Sequence, residues 1–510
     1  MRAFVCFALG GMLMACSGTR GPMLDPNTAI RPPAVAGQFY PGDSPELRAA
    51  LDSFFRTGSA QQADDAVAIV VPHAGYLYSG QIAADAYRQM AGRRVDTVVI
   101  LGANHTGRGR PAMSVYSGAG FRTPLGIAAV DRDLAASIVR AGAGAVFDDD
   151  AHAAEHSIEV QVPFVQRLWP SAAIVPVVIG DLDPDACARF GRSLASLVAG
   201  RRVLIVASSD LSHYPAARDA SAIDVRTLDA IASLDVGRLD AAIALTKAEA
   251  PRNVVTSACG EGAIRVAMAA ASALGARTGR TVAYANSGDT IVGDAERAVG
   301  YGAVVFSRGE RPPAAWPVGR PPADPGGPLD AADRRVLLQL ARDTITRYLE
   351  SGIVPLPRGG SGRLQRESGV FVTLRKRGVL RGCIGRLNGQ GPLVRLASMM
   401  AFSAAFKDTR FEPVRADELA EIDIEVSVLT PMRGVASAAE IVVGRDGVVL
   451  VVGDRSAVFL PSVATEQGWD REELLSNLAV KAGLPPAAWR EKNARFQVFQ
   501  AVAFSERDER

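Results

Sequence analysis

Residues 203–214 read VLIVASSDLSHY. The first five are apolar and mostly β-branched with no polar alternation, the pattern of a strand covered on both faces. The rest of the stretch sets Asp210 and His213 directly beyond that strand's end. Four further runs have the same character: Ala66–Val71 (AVAIVV), 97–101 (TVVIL), Ala173–Ile179 (AIVPVVI) and 281–285 (TVAYA). Between them lie helical candidates at 80–90, 131–141, 157–168 and 262–274. The alternation predicts an α/β domain built on a mostly parallel sheet.

At 510 residues the chain has room for two to four domains. Its 48% hydrophobic and 22% charged content rules out disorder throughout. With 56 basic against 54 acidic residues the net charge is +2, so no global field recruits nucleic acid and no such partner is expected. The five cysteines (Cys6, Cys16, Cys187, Cys259, Cys383) form no C-x-x-C pair, which excludes a zinc ribbon or a dense disulfide framework.

Residues 307–328, SRGERPPAAWPVGRPPADPGGP, hold seven prolines and four glycines. Proline fixes φ and donates no hydrogen bond, so the stretch reads as an extended linker. It divides the chain into a signal and tether at 1–30, a first domain at 31–306, the linker at 307–328 and a second domain at 329–510. The second domain should open with a helix at Ala331–Ser351. Alternating strands follow at 369–387 and 421–430, with a helix at Leu393–Phe406, a strand at 447–453 and a helix at 471–482. Strands and helices without βαβ regularity predict an α+β fold.

The first sixteen residues are MRAFVCFALGGMLMAC. Arg2 precedes an apolar run ending at Ala15, too short for a bilayer core that takes about 20 helical residues, yet right for a secretory apolar segment. The ending Leu13-Met14-Ala15-Cys16 resembles a bacterial lipoprotein signal, in which Cys16 is acylated. The expectation is a lipid-anchored, membrane-attached, extracytoplasmic protein. Translation from Met23 would instead give a cytoplasmic one.

All five histidines (His73, His105, His152, His156, His213) fall in the first domain. His73, His105 and His213 each follow a predicted strand, and ligands of open α/β sheets bind beyond the carboxyl ends of the strands. Glu155-His156-Ser157-Ile158-Glu159 opens a helix, and Thr256–Gly262 (TSACGEG) enters another. A helix start lowers a thiol's pKa, so Cys259 is expected as a thiolate. Two imidazoles and a thiolate suit Fe²⁺, Zn²⁺ or copper. Taken singly, each histidine reads as a hydrogen-bonded structural residue and Cys259 as a small buried one. Three imidazoles at three strand ends argue for one shared site. Cys187, in PDACARF, reads as packing.

In the second domain, LRGCIG at 380–385 sets Cys383 between glycines beside Arg381. Glycine in a strand marks a close backbone approach. That leaves two readings, a cysteine exposed beside a ligand or a small residue in a tight bend. From Arg358 to Arg386 eight Lys/Arg face one acid, Glu367, which suits an anionic partner or a solvated strand face.

From about 31 to 306 the chain resembles the Memo family, whose fold is similar to that of class III extradiol ring-cleaving dioxygenases. The resemblance rests on PPAVAGQFYP (32–41), PHAGY (72–76), LGANH (101–105), EHSIEVQVPF (155–164), SSDLSHY (208–214) and SACGEG (257–262). It implies a metal site at His73, His105 and Cys259, with Asp210 and His213 lining the same pocket. Dioxygenases of similar fold hold Fe²⁺ with two histidines and a carboxylate, so Cys259 is a departure toward a softer ligand.

Residues 329–505 resemble the AMMECR family through LRGCIG, DTRFEPVRADEL (408–419), IEVSVLTPM (424–432) and FLPSVATEQGWDREELLSNLAVKAGL (459–484). That resemblance implies an α+β fold in two subdomains. Prokaryotic genomes often encode both kinds of protein beside a radical SAM enzyme, the AmmeMemoRadiSam system, and this sequence is similar to the first two parts fused. It has no C-x-x-x-C-x-x-C motif, so radical chemistry would belong to a radical SAM partner.

The resulting expectation is a metal-binding, redox-active fusion protein, with Fe²⁺ foremost and copper or zinc as alternatives. Asp210 and His213 would orient substrate or shuttle protons, with Glu155 and His156 beside them. The alternative is a non-catalytic metal- or peptide-binding scaffold that uses a former enzyme pocket. A third reading gives the activity to the second domain, around Arg381 and Cys383.

Overall fold

The computed structural model describes residues 29–508 except 58–62, 64, 110–112, 291–292, 310–326, 355–356, 358–360 and 390. Cys16, the signal-like segment and most of the proline-rich stretch therefore lie outside the described residues. Among the described residues no helix is long and apolar enough to cross a membrane.

An eight-stranded sheet forms the first half. Its spatial order is Thr278–Asn286, Gly300–Ser307, Ala66–Val71, Val203–Ser208, Thr97–Ala103, Ala173–Ile179, Met113–Val115 and Ala145–Phe147. The central four run parallel. They are also the fully apolar runs, because a strand sandwiched between two helical layers has no wet face. One apolar core lies on each side of the sheet. Helices Ser44–Thr57 and Tyr76–Arg88 cover one face; Pro184–Val198, Ala217–Ala232 and Glu261–Ala273 cover the other.

Two expectations need correcting. The TVAYA run belongs to an antiparallel edge hairpin with Gly300–Ser307, so it is not a member of the parallel set. The single helix expected at 157–168 is two, His156–Glu159 and Val162–Leu168. Pro163 stands in the first turn of the second, and without an N–H it cannot continue the ladder of the first.

The second half is α+β. One antiparallel sheet has the order Val379–Arg386, Val370–Lys376, Ile422–Leu429, Ala501–Ser505, and a second the order Arg433–Val435, Ala494–Phe499, Gly447–Val452, Arg455–Phe459. Helices Ala331–Ser351 and Leu393–Phe406 pack together, the latter also against the first sheet. Helices Pro461–Gln467 and Arg471–Lys481 pack against the second.

Candidate metal centre

Strand register brings the sequence-predicted residues together. Val71 pairs with Ser208, and Leu101 with Ala207, so three parallel strands end on one edge. His73 follows the first by two residues, Asp210 the second by two, and His105 the third by two. Ligand atoms of His73, His105 and Cys259 lie within 4.8 Å of one another. The same holds for His105 with Glu155 and His156, and for Asp210 with His213 and Cys259. All seven residues expected in the first half thus converge on one pocket.

Hydrogen bonds fix which nitrogen each imidazole presents. Ser208 Oγ donates to the Ser157 carbonyl (2.6 Å) and accepts from Gln161 Nε2 (2.8 Å). Its only proton is committed, so His73 Nδ1, 3.2 Å away, must donate to it. His105 Nδ1 donates to Glu155 Oε1 at 3.0 Å, and His213 Nδ1 to the Leu211 carbonyl at 3.0 Å. All three rings therefore carry their proton on Nδ1 and present a lone pair at Nε2. Partners that hold the outer nitrogen in this way orient histidines that ligate metals.

Burial of the His73 ring, with His105 and His156 beside it, pushes its pKa well below the ordinary histidine range, so it is neutral. Burial also depresses His156, which packs against Phe39 at 4.8 Å. For Glu155 burial opposes the charge, but the His105 hydrogen bond and the Ser157 N–H outweigh it and hold the carboxyl down at about 2. In His105 burial again opposes, and the Glu155 carboxylate raises the imidazole overall.

Cys259 Sγ lies 3.1 Å from His73 Nε2. The expectation of a lowered thiol is not met: burial, reinforced by the Asp210 charge, pushes Cys259 up. Cys259 precedes the cap residue Gly260, and its own N–H is spent on the Asp210 carbonyl at 3.3 Å. Without a cation the stable pairing is therefore a neutral thiol donating to a neutral imidazole. Gly260 is required here, since a Cβ would sit 2.7 Å from the Ser208 carbonyl. Burial raises Asp210 as well, although its Oδ1 accepts the N–H groups of His73 (2.7 Å) and Ala74 (3.1 Å). A polar cleft of about 340 Å³, lined by Asn104, Asp181, Lys247, Thr256 and Glu261, opens beside Cys259.

Sequence reading did not single out Ser208, Gln161 or Ser157, although all three lie inside quoted motifs. It assigned no role to Arg31 and Glu159, a buried pair at 2.6 Å. Glu159 further accepts from Ala34 N, Val35 N and Tyr40 Oη, so it ties the stretch carrying Phe39 beneath the helix of His156. His152 is no part of the site: it is buried against Tyr116 and Phe121, with Nε2 2.9 Å from the Ser114 carbonyl.

A family model described as Memo-like protein matches residues 31–305. The chain belongs to the Memo-like protein family. MEMO1 family proteins of Desulfurococcus amylolyticus (40% identical over 293 residues, 54% of this chain and 98% of that protein) and Aquifex aeolicus (38% over 278 residues, 54% and 99%) are similar to this Memo-like half. The AMMECR1 family model matches residues 338–504. A solved structure of an uncharacterized protein, PH0010 from Pyrococcus horikoshii, is 39% identical, with TM-score 0.32, covering 33% of this chain and 89% of that one.

In the second half Cys383 is half-buried, with its N–H on Asp408 Oδ2 (2.9 Å) and Thr373 Oγ1 donating to its sulfur (3.3 Å). Arg381 is committed to Glu418 at 2.6 Å and to the Glu412 and Pro413 carbonyls. The close approach that Gly382 permits is to a helix, since a Cβ would sit 2.2 Å from the Ala404 carbonyl. Four of the eight basic residues of the stretch from Arg358 to Arg386 are ion-paired from elsewhere in the fold. Arg363 pairs with Asp330 and Asp333, Lys376 and Arg381 with Glu418, and Arg377 with Glu421.

Proposed function

We propose that the Memo-like half holds a transition metal on His73 Nε2, His105 Nε2 and Cys259 Sγ and performs metal-dependent redox chemistry. Fe²⁺ is the first choice, copper or zinc the alternatives. The observation that carries this reading is the shared tautomer: two converging imidazoles present Nε2 lone pairs to a thiol 3.1 Å from one of them. The donor set fits a borderline metal, because the thiolate is soft and the imidazoles intermediate. When bound, such a metal supplies Lewis acidity and, for iron or copper, a one-electron couple.

The chain's own groups have separate tasks. Glu155 orients His105, and Ser208 with Gln161 orients His73. Asp210, raised by burial, holds or releases a proton next to His213, whose ring is oriented by the Leu211 carbonyl. The cleft beside Cys259 admits a small polar substrate. A radical SAM protein is proposed as partner. For location we propose lipidation at Cys16, with a cytoplasmic product from Met23 as the competing outcome; fractionation of wild type and Cys16→Ser decides between them.

The test is elemental analysis of anaerobically purified protein, followed by oxygen-uptake assays with catechols and thiols. Near-stoichiometric metal with uptake that Cys259→Ala abolishes supports the reading. Stoichiometric metal without turnover favours a metal-binding scaffold, and no metal at all overturns the metal site and leaves the peptide-binding scaffold.

A further inference from the structure

Among the described residues, three contacts between the two halves stand out. Arg347, on the helix Ala331–Ser351, donates to Ser53 Oγ at 3.3 Å on the helix Ser44–Thr57, against which it packs. Ile353, just past the left-handed Gly352 (φ 68°), is 5% exposed and joins the apolar core of Leu47, Leu51 and Phe54. Arg395, on Leu393–Phe406, is ion-paired with Asp289 of the Memo-like half, and both side chains are largely buried.

The third contact leads to the metal centre. Asp289 closes the turn 286–290, its Oδ2 accepting the Asn286 N–H at 2.9 Å. Within that turn Ser287 N–H donates to the Val299 carbonyl (2.8 Å), and Val299 N–H donates to Ser287 Oγ (2.9 Å). Residues 298–300 are in turn laced to the site loop. Val299 bridges His213; Leu211 N–H donates to Gly300 O (2.8 Å), Gly300 N–H to Ser212 O (2.8 Å) and Tyr214 N–H to Ala298 O (2.7 Å). A path of hydrogen bonds and one β-bridge thus runs from Arg395 to the backbone on either side of His213. The similar MEMO1 family proteins are matched over 98–99% of their length by about 54% of this chain, so they have no counterpart of Arg395.

We propose that the second half is docked as a fixed partner on the wall of the histidine–cysteine pocket, and that Arg395 is a positioning residue setting His213 through Asp289, Ser287 and Val299. Coupling of this kind needs a contiguous, demonstrable physical path, and this one is testable link by link.

The experiment compares full-length wild type, Arg395→Ala, Arg395→Lys and Ile353→Ala by amide hydrogen exchange. Arg395→Ala should speed exchange about 3- to 10-fold in both 286–290 and 211–214, the range a largely buried ion pair supports, while Thr97–Ala103 stays unchanged. Arg395→Lys should restore most of the protection. Ile353→Ala, which leaves the ion pair intact, should loosen Ser44–Thr57. A second readout, the thiolate absorption of added Co²⁺, should shift in Arg395→Ala at unchanged stoichiometry and return in Arg395→Lys. This readout rests on the proposed metal site; if wild type takes up no Co²⁺, that reading fails and the exchange data still decide the docking. Loosening of 286–290 alone, with 211–214 unaffected, overturns the positioning role. Wild-type protection in every segment of every variant overturns the docking itself.

Discussion

Glu155 grips His105 twice: Oε2 accepts the backbone N–H at 2.6 Å and Oε1 the ring Nδ1–H at 3.0 Å. One carboxylate thus sets both where the residue sits and how its imidazole is turned. Glu155→Gln keeps the volume but replaces one acceptor oxygen with a donor. It should weaken metal affinity about 10- to 100-fold, as loss of an outer partner does. Competition against a chelator of known affinity measures it, and an unchanged affinity would mean His105 is not a ligand.

Metal affinity should rise with pH. His73 is already neutral, whereas the Cys259 thiol, pushed up by burial and Asp210, must give up a proton to bind. Affinity should therefore climb about tenfold per pH unit through the neutral and mildly alkaline range. It should steepen on the acid side, where His105, raised on balance by Glu155, also holds a proton. A flat profile between pH 6.5 and 8.5 would rule out a thiolate ligand.

Cys259→Ala should lose most bound metal and Cys383→Ala none, because Cys383 is held by Thr373 and Asp408 with no imidazole beside it. Metal-to-protein ratios after anaerobic desalting make the comparison. The reverse result would move the chemistry to the second half.

Asp224 is buried, accepts from Ser212 N–H (2.9 Å) and Tyr284 Oη (2.9 Å), and burial pushes it up to about 7. Below about pH 4 the carboxyl is protonated in folded and unfolded chains alike. Between about pH 4 and 7 the folded chain keeps a proton that the unfolded chain has lost. Stability therefore falls as pH rises through that window, by up to roughly 4 kcal/mol, and then levels off. Asp224→Asn should remove this component, read as a thermal midpoint that declines less than wild type from pH 4 to 7.

Glu159→Ala should destabilise the first half by about 3–5 kcal/mol, since it strands the buried Arg31 guanidinium and the N–H groups of Ala34 and Val35. Denaturant titration followed by tryptophan fluorescence measures it, and a loss under about 1 kcal/mol would show that water rescues Arg31.

Local pattern alone was enough for the α/β character of the first half. The apolar runs at 66–71, 97–101, 173–179 and 203–207 are strands because only two-sided burial tolerates such sequences. Their ends also marked His73, His105, Asp210 and His213, since a histidine placed after a strand is a local fact. In the second half, helices Ala331–Ser351 and Leu393–Phe406 were legible for the same reason. Tertiary structure decided what local pattern cannot carry. Strand order made three of those ends neighbours, and antiparallel pairing took Thr278–Asn286 out of the parallel set. The proton positions on His73 and His105 depend on Ser208 and Glu155, which lie 135 and 50 residues away in sequence. The Cys259 thiol was misjudged because a helix start is visible in sequence, while the burial and the Asp210 charge that outweigh it exist only once the chain has folded.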